Sequence, residues 1–160
     1  MKRSPVLAAA LASVVLLLSA CAPTVSMVPA AEFANDPGCA DAIVRMPEEI
    51  GSYRLRQTDA QATAAWGQPT VVLLYCGVPV PPPSELPCIQ IDGIFWLREE
   101  VEAGLAFTSY GRDPAVRVVV DTAAEAIAPG VVLDDIAGAV AYTPSTGHEC
   151  LDLEDTVTGS

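Results

Sequence analysis

The hydrophobic pattern changes character once, early in the chain. From Val6 to Leu18, thirteen apolar or small residues run without a charge, directly behind Lys2 and Arg3. Beyond Ala34 the apolar residues come in short bursts separated by turn residues, and each burst predicts its own element. Asp36 is a good N-cap and Pro37 suits a first helical position, which predicts a helix over Pro37–Met46 with Ala40, Ile43 and Val44 as its apolar stripe. Tyr53–Gln57 alternates like a strand, and Asp59–Trp66 reads as a short helical turn closed by Gly67. Thr70–Cys76 is a fully apolar, central strand, followed by a stiff polyproline connector over Pro79–Pro83.

The second half continues in the same way. Cys88–Ile91 and Ile94–Arg98 form a strand interrupted at Asp92-Gly93, a turn or bulge signal. Leu105–Tyr110 and Val116–Val120 should pair antiparallel across the turn at Gly111–Pro114. Val131–Leu133 reads as a short extended piece, and Asp134 as the cap of a closing helix that runs to about Tyr142. Strands grouped together with helices at the ends predict an α+β domain: a small, mostly antiparallel sheet of about five strands with helices packed on one face.

The leader has its own logic. A membrane-spanning helix needs about 20 apolar residues, so the run from Val6 suits the core of a signal peptide instead. It ends at Leu18-Ser19-Ala20-Cys21, small residues before a cysteine, which reads as a lipoprotein signal. The Cys21 thiol would take a diacylglyceryl group and, after cleavage, a further acyl chain such as palmitate. Two or more chains anchor stably, because each buried methylene contributes about 0.8 kcal/mol. The expected layout is a signal peptide over 1–20, a flexible tether over 21–34, one globular domain over 35–152 and an acidic tail over 153–160. The expected location is the outer face of the cytoplasmic membrane.

Charge narrows the partners. Losing Lys2 and Arg3 with the leader moves the net charge from −12 to −14 and leaves six arginines and no lysine. Such a chain repels phosphate backbones, which excludes nucleic acid as a partner. It also disfavours a polybasic grip on anionic lipid, so the acyl group must supply the membrane attachment. The remaining partner class is another envelope protein or a wall component.

Four cysteines remain after Cys21, namely Cys39, Cys76, Cys88 and Cys150. An even number in an exported domain predicts disulfides, and four cysteines allow three pairings. The proline-rich turn between Cys76 and Cys88 favours joining those two, which leaves Cys39 to tie the first helix to Cys150 in the tail. No Cys-x-x-Cys motif is present.

The run Ala64-Ala65-Trp66-Gly67, Pro69, Val72-Leu73 and Cys76-Gly77-Val78-Pro79 resembles a family of actinobacterial envelope proteins, domain of unknown function 3515. Cys39, Cys88 with Gly93 and Trp96, and Thr108-x-Tyr110-Gly111-Arg112-x-Pro114 agree with it, so the resemblance covers about Cys39 to Tyr142. Tyr75 stands where members of that family often carry a basic residue. The resemblance implies an exported or lipid-anchored protein and no assigned activity.

Catalytic chemistry finds little support. His148 is the single histidine, and no Gly-x-Ser-x-Gly is present, so a serine hydrolase lacks its parts. The acidic residues of the tail lack the spaced ligand loop of a calcium site. No cofactor or metal motif is found. Trp66, Tyr110 and Arg112 are the candidate contact residues, because aromatics and arginine are enriched at binding hot spots; packing of Trp66 and Trp96 in the core is the simpler account. Arg112 would clamp a carboxylate, pair with Asp113 or meet a helix end. The expected function is therefore a non-catalytic binding or scaffolding domain. The alternative is an envelope hydrolase that acts on wall glycan or peptide through paired carboxylates.

Overall fold

In the computed structural model, which describes residues 24–26, 30–123 and 127–151, the apolar bursts become two helices and eight strands. The helices are α1 (Pro37–Ile43) and α2 (Pro129–Val140). The strands are β1 (Glu49–Ile50), β2 (Tyr53–Arg56), β3 (Thr63–Trp66), β4 (Val72–Val78), β5 (Cys88–Ile91), β6 (Ile94–Val101), β7 (Gly104–Tyr110) and β8 (Ala115–Val120). They form one antiparallel sheet in the order β1-β2-β3-β4-β8-β7-β6-β5. Two consecutive meanders thus meet where β4 pairs with β8.

This corrects the expectation of about five strands with helices packed on one face. The sheet has eight strands, and α2 touches both of its outermost strands, β1 and β5, as well as β8. Seven strand intervals laid flat would span about 34 Å, whereas a twelve-residue helix is only about 18 Å long. The sheet must therefore curl, with α2 lying in its hollow.

The inner face of the curl carries the core. Val72, Leu74 and Cys76 of β4, Val116, Val118 and Val120 of β8, and Ile94 and Trp96 of β6 are buried there with Val132, Leu133 and Ile136 of α2. Alternation then sends Leu73, Tyr75, Arg117, Val119, Thr108, Leu97 and Glu99 to the outer face.

Three local expectations are overturned. Asp59–Trp66 is not a helical turn; its second half is β3, buried along its whole length between β2 and β4. The helix-favouring Ala64 and Ala65 are buried there between two paired strands, so tertiary packing overrides propensity. Val131–Leu133 is not extended, and Asp134 is not a cap. The helix begins at Pro129 behind Ala128, which offers no side-chain cap, and Asp134 and Asp135 lie on its exposed side. In α1 the N-cap is as expected, with Asp36 Oδ1 accepting from the Gly38 N–H at 2.7 Å. Its buried residues are Cys39 and Ala42, however, and Val44 of the expected stripe is 76% exposed.

The disulfides exist, but the favoured pairing does not. Cys39 is bonded to Cys76, and Cys88 to Cys150, with Cα separations of 5.5 and 5.6 Å. Four strand intervals separate β4 from β5, about 19 Å, and bridged Cα atoms lie within about 7 Å. Cys76 also faces inward and Cys88 outward, so no bond can join them.

The segment before α1 docks on the end of β4. The Phe33 N–H donates to the Gly77 carbonyl at 2.9 Å. Gly77 has φ +90°, and a Cβ there would overlap the Phe33 backbone. Val25 lies farther back and bridges to Thr58 beside the end of β2. Cys21, the expected leader and the expected acidic tail lie outside the described residues.

Candidate functional site

The route from β4 to β5 builds the most distinctive feature of the outer face. β4 sits in the middle of the sheet and β5 at its edge, so the nine residues between them must cross β8, β7 and β6. An ordinary tight turn cannot do this. A polyproline chain advances about 3.1 Å per residue, giving about 28 Å for the connector against the roughly 19 Å to be crossed. The prolines at 79, 81, 82, 83 and 87 stiffen that crossing. Both ends are tied: Cys76 precedes the connector and holds Cys39, and Cys88 follows it and holds Cys150.

Between this strap and the sheet lies a cavity of about 440 Å³. Val78, Pro79, Pro81, Pro82, Pro83 and Leu86 supply its strap wall, and Leu97 an apolar part of its floor. The polar floor is Arg117 on β8, Thr108 on β7 and Glu99 on β6. Arg117 is directly opposite Thr108 in register and donates through Nη1 to Thr108 Oγ1 at 3.2 Å. Its Nη2 reaches over β7 to Glu99 Oε2 at 2.7 Å. These bonds leave the Arg117 Nε–H and Glu99 Oε1 without protein partners among the described residues. Tyr75 stands opposite Arg117 on the other side, on β4. Burial raises its phenol pKa above the ordinary value.

A larger hollow of about 740 Å³ lies by the β6–β7 turn and carries Glu100, Glu102 and Asp121. Two of these acids have local roles. Glu100 Oε1 accepts from Arg98 Nη2 at 3.1 Å, and Asp121 Oδ1 accepts from the Ala123 N–H at 2.8 Å. Among the described residues no group of three His, Cys, Asp or Glu side chains could hold a metal ion. His148 Nδ1 meets Thr146 Oγ1 at 3.0 Å, and its ring lies 5.7 Å from that of Tyr110.

The contact residues expected from the sequence are not brought together. Trp66 is fully buried on the inner face and donates from Nε1 to the Pro47 carbonyl at 3.0 Å. Tyr110 ends β7 on the outer face, opposite Phe95 and beside His148. Arg112 meets a helix end: its Nη1 donates to the carbonyls of Ala141 and Thr143, at 3.2 and 2.8 Å, just past α2. Desolvation there lowers its pKa.

Arg117, Thr108 and Glu99 were missed. The available signal was an arginine interrupting the valine run of β8, but its two partners come from other strands and are visible only once the register is known.

A family model described as a protein of unknown function, DUF3515, matches residues 5–146. No curated protein and no solved structure matches the chain.

Proposed function

From the premise that the chain belongs to the DUF3515 family, whose description assigns no activity, we propose that it is an exported, lipid-anchored protein that displays a non-catalytic binding domain outside the cytoplasmic membrane. The leader ending at Cys21 supports the anchor, and two disulfides support an oxidising compartment. The observation that carries the binding role is the strap cavity. A proline-stiffened connector, tied at both ends, overhangs an open pocket with apolar walls and a few placed polar groups, the usual make-up of a small-ligand site. Its polar groups are the Arg117–Glu99 ion pair, Thr108 and, on the strap, Ser84, whose Oγ accepts from the Leu86 N–H at 3.1 Å. Such a floor can orient and hold a ligand.

Mass spectrometry of the membrane-extracted protein tests the anchor. The expected amino terminus is an acylated Cys21, and Cys21→Ala should remain an unprocessed precursor or be released. An unmodified, membrane-bound chain overturns the lipid anchor. Saturable binding in the strap cavity without turnover is the expected behaviour of the domain.

A further inference from the structure

We infer that the strap cavity takes a neutral aromatic ring bearing an N–H or O–H donor, of the phenol or indole type, as on a peptide side chain. This rests on the binding reading above and names its ligand class. The walls come first. Proline rings together with Leu86 and Leu97 offer carbon surface on two sides, which suits a flat apolar body. The floor comes next. Arg117 is fixed at both Nη atoms by Thr108 and Glu99, so its cation is already oriented towards one place. A guanidinium near the face of a ring is attracted by the ring quadrupole.

Glu99 Oε1 then sets the ring's substituent, because it is an acceptor without a protein partner among the described residues, on a half-exposed side chain of the polar floor beneath the apolar strap wall. A ligand N–H or O–H satisfies it, whereas an aliphatic group covers it and leaves it unpaired. Charge excludes the other options. An anionic ligand meets Glu99 and the field of a chain with net charge −12, and a cationic one displaces Arg117 from its carboxylate. Size agrees: about 440 Å³ lies near the small end of ligand pockets, enough for one such ring with its attachment. The strap is held by Cys39–Cys76 on one side and Cys88–Cys150 on the other, so little order has to be imposed on binding.

The test titrates the full chain, isotope-labelled and in detergent micelles, with N-acetyl-tyrosinamide and with N-acetyl-leucinamide, following the Arg117 Nε–H and the amides of Thr108 and Ser84. The tyrosine amide should give saturable shifts at these positions, with roughly tenfold weaker response to the leucine amide. Arg117→Gln and Leu86→Asp should each weaken the tyrosine response about fivefold or more. Leu86 is 41% exposed on the strap, so that variant keeps the core intact, and the dispersion of the same spectra reports folding. Equal response to both amides, or shifts confined to other surfaces, overturns the aromatic assignment. Strap shifts without aromatic preference defeat this inference and leave the binding reading standing. Chemical conversion of either probe by the protein defeats the binding reading itself.

Discussion

Cys88 is bonded to Cys150 across 62 residues of chain, and that one bond fastens the end of the proline strap to the end of the folded domain. With Cys39–Cys76 it makes two consecutive loops in which neither disulfide encloses the other. Removing Cys88–Cys150 by the double substitution Cys88→Ser, Cys150→Ser should cost roughly 2–4 kcal/mol, since closing so long a loop restricts the unfolded chain by about 4 kcal/mol before strain. Denaturant unfolding measures it. A non-reducing peptide map should recover Cys39 with Cys76 and Cys88 with Cys150, and a Cys76–Cys88 peptide would refute the fold.

The two tryptophans should respond differently to the same change. Trp66 and Trp96 are both fully buried, but Trp66 Nε1 donates to the Pro47 carbonyl while Trp96 Nε1 has no partner among the described residues. Trp66→Phe therefore loses a hydrogen bond as well as volume, and Trp96→Phe loses volume and relieves an unpaired donor. Trp66→Phe should be more destabilising by about 1 kcal/mol. Equal chemical-denaturation midpoints for the two variants would contradict this.

Arg112 holds the end of α2. Its guanidinium satisfies the Ala141 and Thr143 carbonyls, which the helix itself leaves open. Arg112→Ala should lower stability by about 1–2 kcal/mol. Faster amide hydrogen exchange should appear in the residues that follow α2, with strands β2 and β3 unaffected. Loss of ligand binding with unchanged exchange would instead give Arg112 a contact role.

Tyr75 predicts a pH dependence. Burial raises its phenol pKa above about 10 in the folded state. Above that pH the unfolded chain loses this proton first, so the native state binds more protons and stability falls as pH rises further. Tyr75→Phe should flatten the decline in melting temperature above about pH 10 and leave it unchanged at pH 7. An identical alkaline slope in both proteins would assign the decline to other groups.

Local chemistry explains which elements were legible in the sequence. Asp36-Pro37 carries a helix start in two residues, and Asp92-Gly93 carries a turn. There Asp92 and Gly93 both have positive φ, at 45° and 78°, which suits a two-residue hairpin between β5 and β6. The Leu105–Tyr110 and Val116–Val120 pairing was legible for the same reason, because a short turn leaves two apolar runs little choice. β3 and the first turn of α2 were illegible. Alanines and β-branched residues there adopt what their neighbours in space impose, and those neighbours are distant in the chain. The site failed in the same way: Arg117 lies 18 residues from the Glu99 it binds.

By itself the sequence determined the family, the presence of paired cysteines beyond Cys21, the capped first helix and a stiff proline connector. The helix start and the connector are carried by residues close together in the chain, where backbone geometry and short-range bonding decide, and the family and the even cysteine number by residue identities alone. Only the tertiary structure decided how many strands share the sheet, which cysteine meets which, and what lies beneath the prolines. Those depend on strand order and on which face each side chain takes. A connector forced to cross three strands is what brings Arg117, Thr108 and Glu99 under one roof.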